Sequence, residues 1–597
     1  MTKTKTILYS NSLFFIVVTT IILGLNLTPL ISHIRHSPPG RTFALIHNNA
    51  QDFFFYQSLM NLGGSGQWLT QDPYTTEPHQ SSIIFSYFLW LGKISKILAL
   101  PYAITYHLIR IVLSVVFLYF TFYFLLYLKV PHPRLSYFFF VFAAPLMHTI
   151  YDNGKAVKVS YMNWWTGMDP IRRVAYLPHH MIGALLLVIS IMLILKYFNT
   201  KTRKYLVYLS VITPVIGFIH TPSLFILLLI IPPSLVIFLI SNLLSQKISK
   251  HEARNSKLYQ NSNDRNNKHL DLSKLKLLNI FRISDFGFRI SPIIGLLVYW
   301  LIGLSSLLLM VSQTNRGFPW SQYLAWEKNL QFPLDQELVG ALGILFPLAL
   351  IGSMVALASK RFDRILIASW IGIPFLLIPF AQRLNISNIR LIQGVPYLPL
   401  AILAVLGLST IQKGLQTFLS NISNKFKKFI GLLGYLPAGE AGWFIGLFLI
   451  LFFIFTFPTF SWSLKDQIRE YWPIFGNVYF DNRLNNAFAY INTNFPAKTI
   501  TLSTFYTGNY LPAFTHTVSF IGHFGYTYKI DEKQTLTRKF FENKMSSEEA
   551  KTFIMNNKIA LVFQGPEEKP IYKDHLYPVI LKPVYDREEV TLYTPNF

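Results

Sequence analysis

The run ILYSNSLFFIVVTTIILGLNLTPLI, Ile7 to Ile31, is long and apolar enough to cross about 30 Å of hydrocarbon, which takes about 20 residues. It is too long for a signal-peptide core and lacks a small-residue cleavage site, so it reads as a retained helix. Similar runs recur over 102–128, 135–150, 180–198, 205–220, 222–245, 291–313, 336–358, 365–381, 391–411 and 441–461. Together they predict a polytopic α-helical membrane protein of about 11 transmembrane helices. The composition agrees: 14% of the 597 residues are charged and 52% are hydrophobic, against roughly 25% charged in soluble domains.

The net charge of +25 would suit a nucleic-acid partner if the charge were spread over one surface, but it is sorted by loop. Lys and Arg fall about two to one in the alternate loops that include the N-terminus, the bias that marks the cytoplasmic side. The expectation is a multi-pass protein of the cytoplasmic membrane with its N-terminus inside and no nucleic-acid partner. An odd number of spans then puts the C-terminal segment outside. With no cysteine in the chain, disulfides and thiolate metal sites are excluded.

Three units follow: a membrane domain over 1–461, a Lys-, Asn- and Ser-rich cytoplasmic linker over 246–290 within it, and an extracytoplasmic α/β domain over 462–597. The linker's basic residues are placed to contact anionic lipid headgroups. The last unit carries 15 basic and 14 acidic residues, a balance that needs no polyanion. Its pattern predicts helix 482–493, strands 499–503 and 518–521, helices 533–541 and 546–556, strand 559–563, and a closing hairpin of 581–585 with 590–593. Ser546 and Glu549 have the spacing of a capping box.

About 70 residues separate the first two spans, too many for an idle connector. They hold two helix-like pieces. In the first, Asp52 precedes a face of Phe53, Tyr56 and Met60, so its carboxylate lies at a helix start where the dipole favours an anion. The second carries Ser82, Ser86, Lys93 and Lys96 near one face and reads as a helix lying in the interface. Between them, Gly63-Gly64-Ser65-Gly66 and the segment Asp72 to His79, with Glu77, read as a turn-rich loop lining a cavity. Asp52 is at this point either a helix cap or a catalyst.

The next loop on the same side, Tyr151 to Pro178, supplies Asp152, Lys155, Lys158, Asp169, Arg172 and Arg173, and His179-His180 open the following span. Arg110 lies inside the second span on a face with Tyr106 and His107; an arginine there must face a cavity or a partner. A later loop adds Arg383 and Arg390.

These features resemble the C-type integral-membrane glycosyltransferases. The likeness rests on a long first outer loop with an acid near its start, in Asp52-Phe53-Phe54-Phe55-Tyr56, on further acids in the second loop, and on an outer C-terminal domain. The run Arg390-Leu391-Ile392-Gln393-Gly394-Val395-Pro396-Tyr397 resembles the Arg-then-Pro entry to a late helix in that family. The resemblance implies transfer of a sugar from a polyprenyl-phosphate donor to a glycan, lipid or protein acceptor at the outer face. In that scheme Asp52 is the base and Asp169 a second acid. Arg110, Arg173 and Arg390 would bind the donor phosphate, and Tyr56, Glu77, His79, His107, Asp152 and His180 would line the cavity. Asp52 follows Gln51 where several branches have paired acids, and the second loop has no Asp-x-Asp, so a divalent cation stays an open element. A transporter or flippase of a lipid-linked or anionic solute, and a scaffold of the same fold, stay open as alternatives.

Overall fold

Backbone groups in hydrocarbon must be satisfied within the chain, so the apolar runs form helices. A computed structural model describes residues 2–260, 283–420, 442–469, 478–587 and 589–597. Helix α1 is Thr2–Arg35. After strand β1 (Arg41–Phe43) come the two loop helices, α2 (Ala50–Gly64) and α3 (Ser86–Leu98). Then follow α4 (Tyr102–Leu128), α5 (Pro133–Phe142), the hairpin of β2 (Met147–Asp152) and β3 (Lys155–Ser160), α6 (Pro178–Thr200), α7 (Lys204–Gln260) and α8 (Ile283–Thr314). A short α9 (Gln322–Asn329), α10 (Leu334–Leu342), α11 (Leu345–Ala358), α12 (Phe362–Leu377), α13 (Tyr397–Ser420) and α14 (Gly442–Arg469) complete the membrane part. Eight of these helices are long and apolar enough to cross a membrane, and α10 with α11, bent by 88° at their junction, passes the same test as a pair. Much of the 246–290 linker, and Glu440 beside the last span, lie outside the described residues.

One departure from the expected spans has a physical cause. Residues 135–150 are not one helix: α5 has 10 residues and gives way to the β2–β3 hairpin. Asn153 and Gly154, with φ of 48° and 77°, form the two-residue turn with positive φ that Asn-Gly favours. The segment still traverses the bundle. Arg134 at its start reaches Ser10 and Asn11 at 2.8 Å, while Leu146 donates to Gly340 at the opposite level. Its half-helical path leaves carbonyls without helical partners. The Arg173 guanidinium takes those of Phe140, Val141 and Ala143 and lies 3.8 Å from the Tyr397 ring centre.

In α7 the regular geometry breaks at His220 (φ −148°, ψ 79°). A Cβ added to Gly303 would lie 3.4 Å from Thr213 and 2.5 Å from Leu228, residues that a straight helix would hold about 22 Å apart. The helix therefore folds back at His220 into two antiparallel passes. This agrees with the expected pair 205–220 and 222–245.

The C-terminal domain carries one five-stranded sheet in the order β6-β5-β7-β9-β8. Its strands are β5 (Ile500–Leu502), β6 (Val518–Ser519), β7 (Leu561–Gln564), β8 (Leu581–Arg587) and β9 (Val590–Pro595). β5 pairs in parallel with β6 and β7, and β9 runs antiparallel between β7 and β8. β7 is buried throughout, as its apolar Leu561-Val562-Phe563 run requires. The Ser546–Glu549 capping box is present. Helix Phe505–Phe514 is absent from the sequence expectation; it packs on α2. A fourth strand in chain order, β4 (Tyr479–Asp481), leads into the domain and pairs antiparallel with β1.

Gly63 and Gly64 end α2 and are buried instead of opening a cavity-lining turn. Helices α2 and α3 cross with their backbones in contact: a Cβ on Gly63 would lie 2.1 Å from the Leu89 carbonyl oxygen and one on Gly92 1.8 Å from that of Met60. Gly92→Ala must push the two helices apart, and overpacking of this kind costs about 1–3 kcal/mol. A Cβ on Gly24 in α1 would meet nothing within 4 Å. Thermal unfolding in detergent should show a clear loss of melting temperature for Gly92→Ala and none for Gly24→Ala; equal shifts would contradict the close crossing.

Candidate active site

Asn49 caps α2: its side-chain oxygen accepts from the amides of Gln51 (2.8 Å) and Asp52 (3.3 Å). Asp52 is thus relieved of the cap and holds the third helical position, its carboxylate 44% exposed and still within the favourable field of the helix start. Among the described residues the side chain within ion-pair reach of it is His523 of the C-terminal domain, with Nε2 3.8 Å from Oδ1.

Several buried phenols lie near enough to this carboxylate to feel its charge. Burial first, and Asp52 with it, pushes the Tyr56 and Tyr176 hydroxyls well above the ordinary tyrosine range. Tyr323 and Tyr526 are raised by burial as well and hydrogen-bond each other. All four therefore stay protonated at neutral pH and can donate to an oxygen. Tyr56 is four residues after Asp52 and stacks on Phe88 with centroids 4.1 Å apart.

Beyond Tyr176 a cavity of about 80 Å³ opens, lined among others by Arg173, His180, His220, Gln393 and Tyr397. His180 and His220 lie with ring centroids 4.2 Å apart. His220 Nδ1 pairs with Ser223 Oγ at 2.8 Å, and its buried Nε2 has no protein partner. Arg390 flanks this region. Its Nε and one terminal nitrogen grip a single Glu327 oxygen at 2.7 and 2.6 Å, and the other terminal nitrogen donates to Gln393 at 3.3 Å.

The other sequence candidates have structural partners. Arg110 is buried and donates to Asn26 Oδ1 (2.7 Å), to the Ala175 carbonyl (2.5 Å) and to His107 Nδ1 (3.2 Å). The other nitrogen of His107 donates to the Leu45 carbonyl at 2.8 Å. Arg173 is committed to the α5 carbonyls. Asp169 turns the chain, one oxygen accepting from the amides of Ile171 and Arg172 and the other from Ser463 at 2.5 Å. Asp152 stands on the exposed Asn-Gly hairpin, away from the cavity. His79 accepts the Asp72 amide on Nε2 (3.0 Å), so its Nδ1 donates to the Glu77 carbonyl (2.9 Å) and closes the 72–79 loop. Glu77 bonds Lys533 of the C-terminal domain at 2.8 Å. Although burial raises the glutamate, its bonds to Lys533 and Thr75 hold it below the usual range. Among the described residues no group of three His, Cys, Asp or Glu is placed to hold a metal ion, so no step is built on a divalent cation.

Sequence reading missed Asn49, Glu327, His220 and Tyr323. The spacing of Asn49 before Asp52 is a recognisable cap signal. The others meet only through tertiary structure.

Asp72 is a sharper case of burial. Its Oδ1 accepts the Tyr74 amide at 2.9 Å while its buried Oδ2 has no partner. Desolvation lifts its pKa well above 3.8, with Lys533 opposing and Glu77 reinforcing. The folded state thus holds this proton more tightly than the unfolded chain, and stability falls as pH rises from the unfolded value through the folded one. Asp72→Asn keeps the acceptor for Tyr74 and removes the charge. Its melting temperature relative to the parent should rise more at pH 8 than at pH 5; an equal difference at both would contradict a protonated buried carboxyl.

No protein-family model and no curated protein sequence matches the chain. Its structure is similar to that of the archaeal oligosaccharyltransferase AglB from Archaeoglobus fulgidus. Against the form tethered to an acceptor peptide containing the NVT sequon, the TM-score is 0.52 at 13% identity, over 98% of this chain and 74% of that one. Against the complex with an inhibitory peptide and a dolichol-phosphate it is 0.50 at 13% identity, over 92% and 69%. ArnT from Cupriavidus metallidurans bound to undecaprenyl phosphate matches at 0.46 and 10% identity, over 97% of both chains. At such identities the likeness is one of fold: the chain is a polytopic membrane protein by its long apolar helices, and it shares the overall fold of the archaeal oligosaccharyltransferase.

Proposed function

We propose that the protein transfers a sugar from a polyprenyl-phosphate-linked donor to an acceptor, on the membrane face that carries the C-terminal domain. The observation that carries this reading is the placement of Asp52: an exposed carboxylate at a helix start, freed from capping by Asn49 and close enough to the buried Tyr56 and Tyr176 hydroxyls to raise them. It is supported by the shared fold with AglB, a glycosyl-transferring protein solved with a dolichol-phosphate and with an acceptor peptide.

In this reading Asp52 takes the acceptor proton as the acceptor atom bonds to the anomeric carbon. The bond from that carbon to the phosphate oxygen breaks, and the electron pair leaves with the polyprenyl phosphate. Fixed donors must meet the charge developing on that phosphate. Arg390, half-buried beside the cavity, and the unpartnered His220 Nε2 are proposed for this, with His180 lining the same space. Arg110 and Arg173 act at one remove, by fixing the loop and helix ends that shape the cavity, and Asp169 does so by anchoring the second loop to α14. Residues 1–461 form the transfer unit and 462–597 the domain that closes it, with the cytoplasmic membrane as location and the C-terminal domain outside.

Asp52→Asn removes the base while preserving size. Donor turnover by the purified full chain in nanodiscs should fall by about 10²- to 10⁴-fold, with photolabelling by a polyprenyl-phosphate probe unchanged. Turnover equal to the parent would eliminate Asp52 as the base.

A further inference from the structure

We infer that α9 is a strut that sets the aim of Arg390 at the donor phosphate, with Glu327 as its working end and the C-terminal domain as its support. This rests on the transferase reading above and adds to it a positioning residue and the route by which the C-terminal domain acts on the donor side.

Tyr323, Trp326 and Glu327 stand at i, i+3 and i+4 and so share one face of α9. The first two meet the C-terminal domain. The Tyr323 hydroxyl bonds that of Tyr526, the Trp326 ring centroid lies 6.3 Å from that of Tyr526, and a Cβ on Gly525 would lie 2.5 Å from the Trp326 ring. Glu327 meets the turn Asn388–Ile392 and uses both of its oxygens. One takes Arg390 Nε and a terminal nitrogen at 2.7 and 2.6 Å, and the other accepts the amide of Ser387, which opens the turn, at 3.1 Å. The residues after α9 add to this hold: the Ser387 hydroxyl donates to the Leu330 carbonyl at 2.5 Å, and the Asn388 side chain donates to and accepts from the Phe332 backbone at 2.7 and 3.0 Å. The turn that carries Arg390 is thus bound to α9 and its continuation.

An arginine has five N–H donors in a rigid fork. Glu327 takes two of them and Gln393, in the cavity lining, takes one. One N–H on each terminal nitrogen is left for an anion, and Glu327 fixes where both point. Tyr323 feels the charges of Asp52 and Arg390 alike, so α9 stands within reach of both the acid and the cation. A donor stabilises developing charge best when it is already aimed at it, whereas the attraction between a cation and a phosphate needs only proximity. Loss of the Glu327 charge therefore has two opposite effects. Attraction for the donor phosphate rises, because an acid beside Arg390 is gone, while stabilisation of the charge on the leaving phosphate falls. Glu327 acts through Arg390 and is a positioning residue.

The test uses the full chain in nanodiscs, with turnover of citronellyl-phosphate-linked hexoses read as released citronellyl phosphate and binding of undecaprenyl phosphate measured beside it. Glu327→Gln keeps the size and an acceptor for the Ser387 amide. It should cut kcat by about 10- to 100-fold, while the donor KM and the undecaprenyl phosphate Kd stay equal or fall. Gly525→Ala touches no reacting group and displaces Trp326 on α9; it should lower kcat by about three- to tenfold, again without raising the donor KM. In the double variant the Gly525 change should add less than about twofold to the Glu327→Gln loss, because both act through one element. An unchanged kcat in either single variant, a raised donor KM or Kd in Glu327→Gln, or losses that multiply in the double variant would overturn the proposal. If Asp52→Asn abolishes turnover while Glu327→Gln does not, this inference fails and the base assignment stands. If Arg390→Gln leaves turnover and undecaprenyl phosphate binding as in the parent, or the parent turns over no donor, the donor-site reading itself falls and this inference with it.

Discussion

The site depends on the docking of the C-terminal domain against the first long loop. That loop has little regular structure between α2 and α3, yet it is fixed at several points. The Tyr74 hydroxyl donates to the Asn509 carbonyl at 2.7 Å, the Ser519 amide donates to the Pro73 carbonyl at 2.9 Å, and Lys533 pairs with Glu77 at 2.8 Å. Asn61 in α2 donates to the carbonyls of Pro512 and Thr515 at 3.1 and 2.8 Å, and β1 pairs with β4. Each contact is between neutral or locally paired groups in a buried seam. Such hydrogen bonds are individually worth about 0.5–1.5 kcal/mol, but together they decide where Asp52 points. Without the domain, His523 would be absent and the Tyr323–Tyr526 pair would lose one member.

A second constraint runs through the membrane part. The helical part admits irregular backbone at the end of α5, at the His220 fold-back and between α10 and α11, and each break frees polar groups that must be paired inside the protein. Arg173 answers one of these, placing its cation at a helix C-terminus where the exposed carbonyls and the dipole favour it. Arg110 joins α1, α4 and the loop before α6. The buried arginines thus hold the cavity's walls in place, while Arg390 is balanced by Glu327 and reaches Gln393 in the cavity lining.

The membrane class, most of the span positions and the small α/β domain were legible because hydrophobic period and length report burial directly. Asp52 was legible as a candidate because acids are scarce outside the charged loops. The role of its neighbours was not. Arg110, Arg173 and Asp169 are the residue types that bind phosphate or sugar, and sequence cannot tell an arginine facing a ligand from one facing backbone carbonyls. The 135–150 segment reads as a span because its first half is apolar, and only the Asn153-Gly154 pair signals the hairpin that ends it. His523 lies 471 positions after Asp52, and no local pattern could join them.

The proposed mechanism requires the Asp52 carboxylate and the cavity behind Tyr176 to form one continuous reaction site. A cryo-EM structure of the full chain in nanodiscs with undecaprenyl phosphate tests this requirement without intermediaries. The phosphate should lie within hydrogen-bond reach of Arg390 or His220, facing the Asp52 carboxylate with room for one sugar between them. A phosphate bound on the opposite membrane face, or separated from Asp52 by an intact protein wall, would break the proposed site in two.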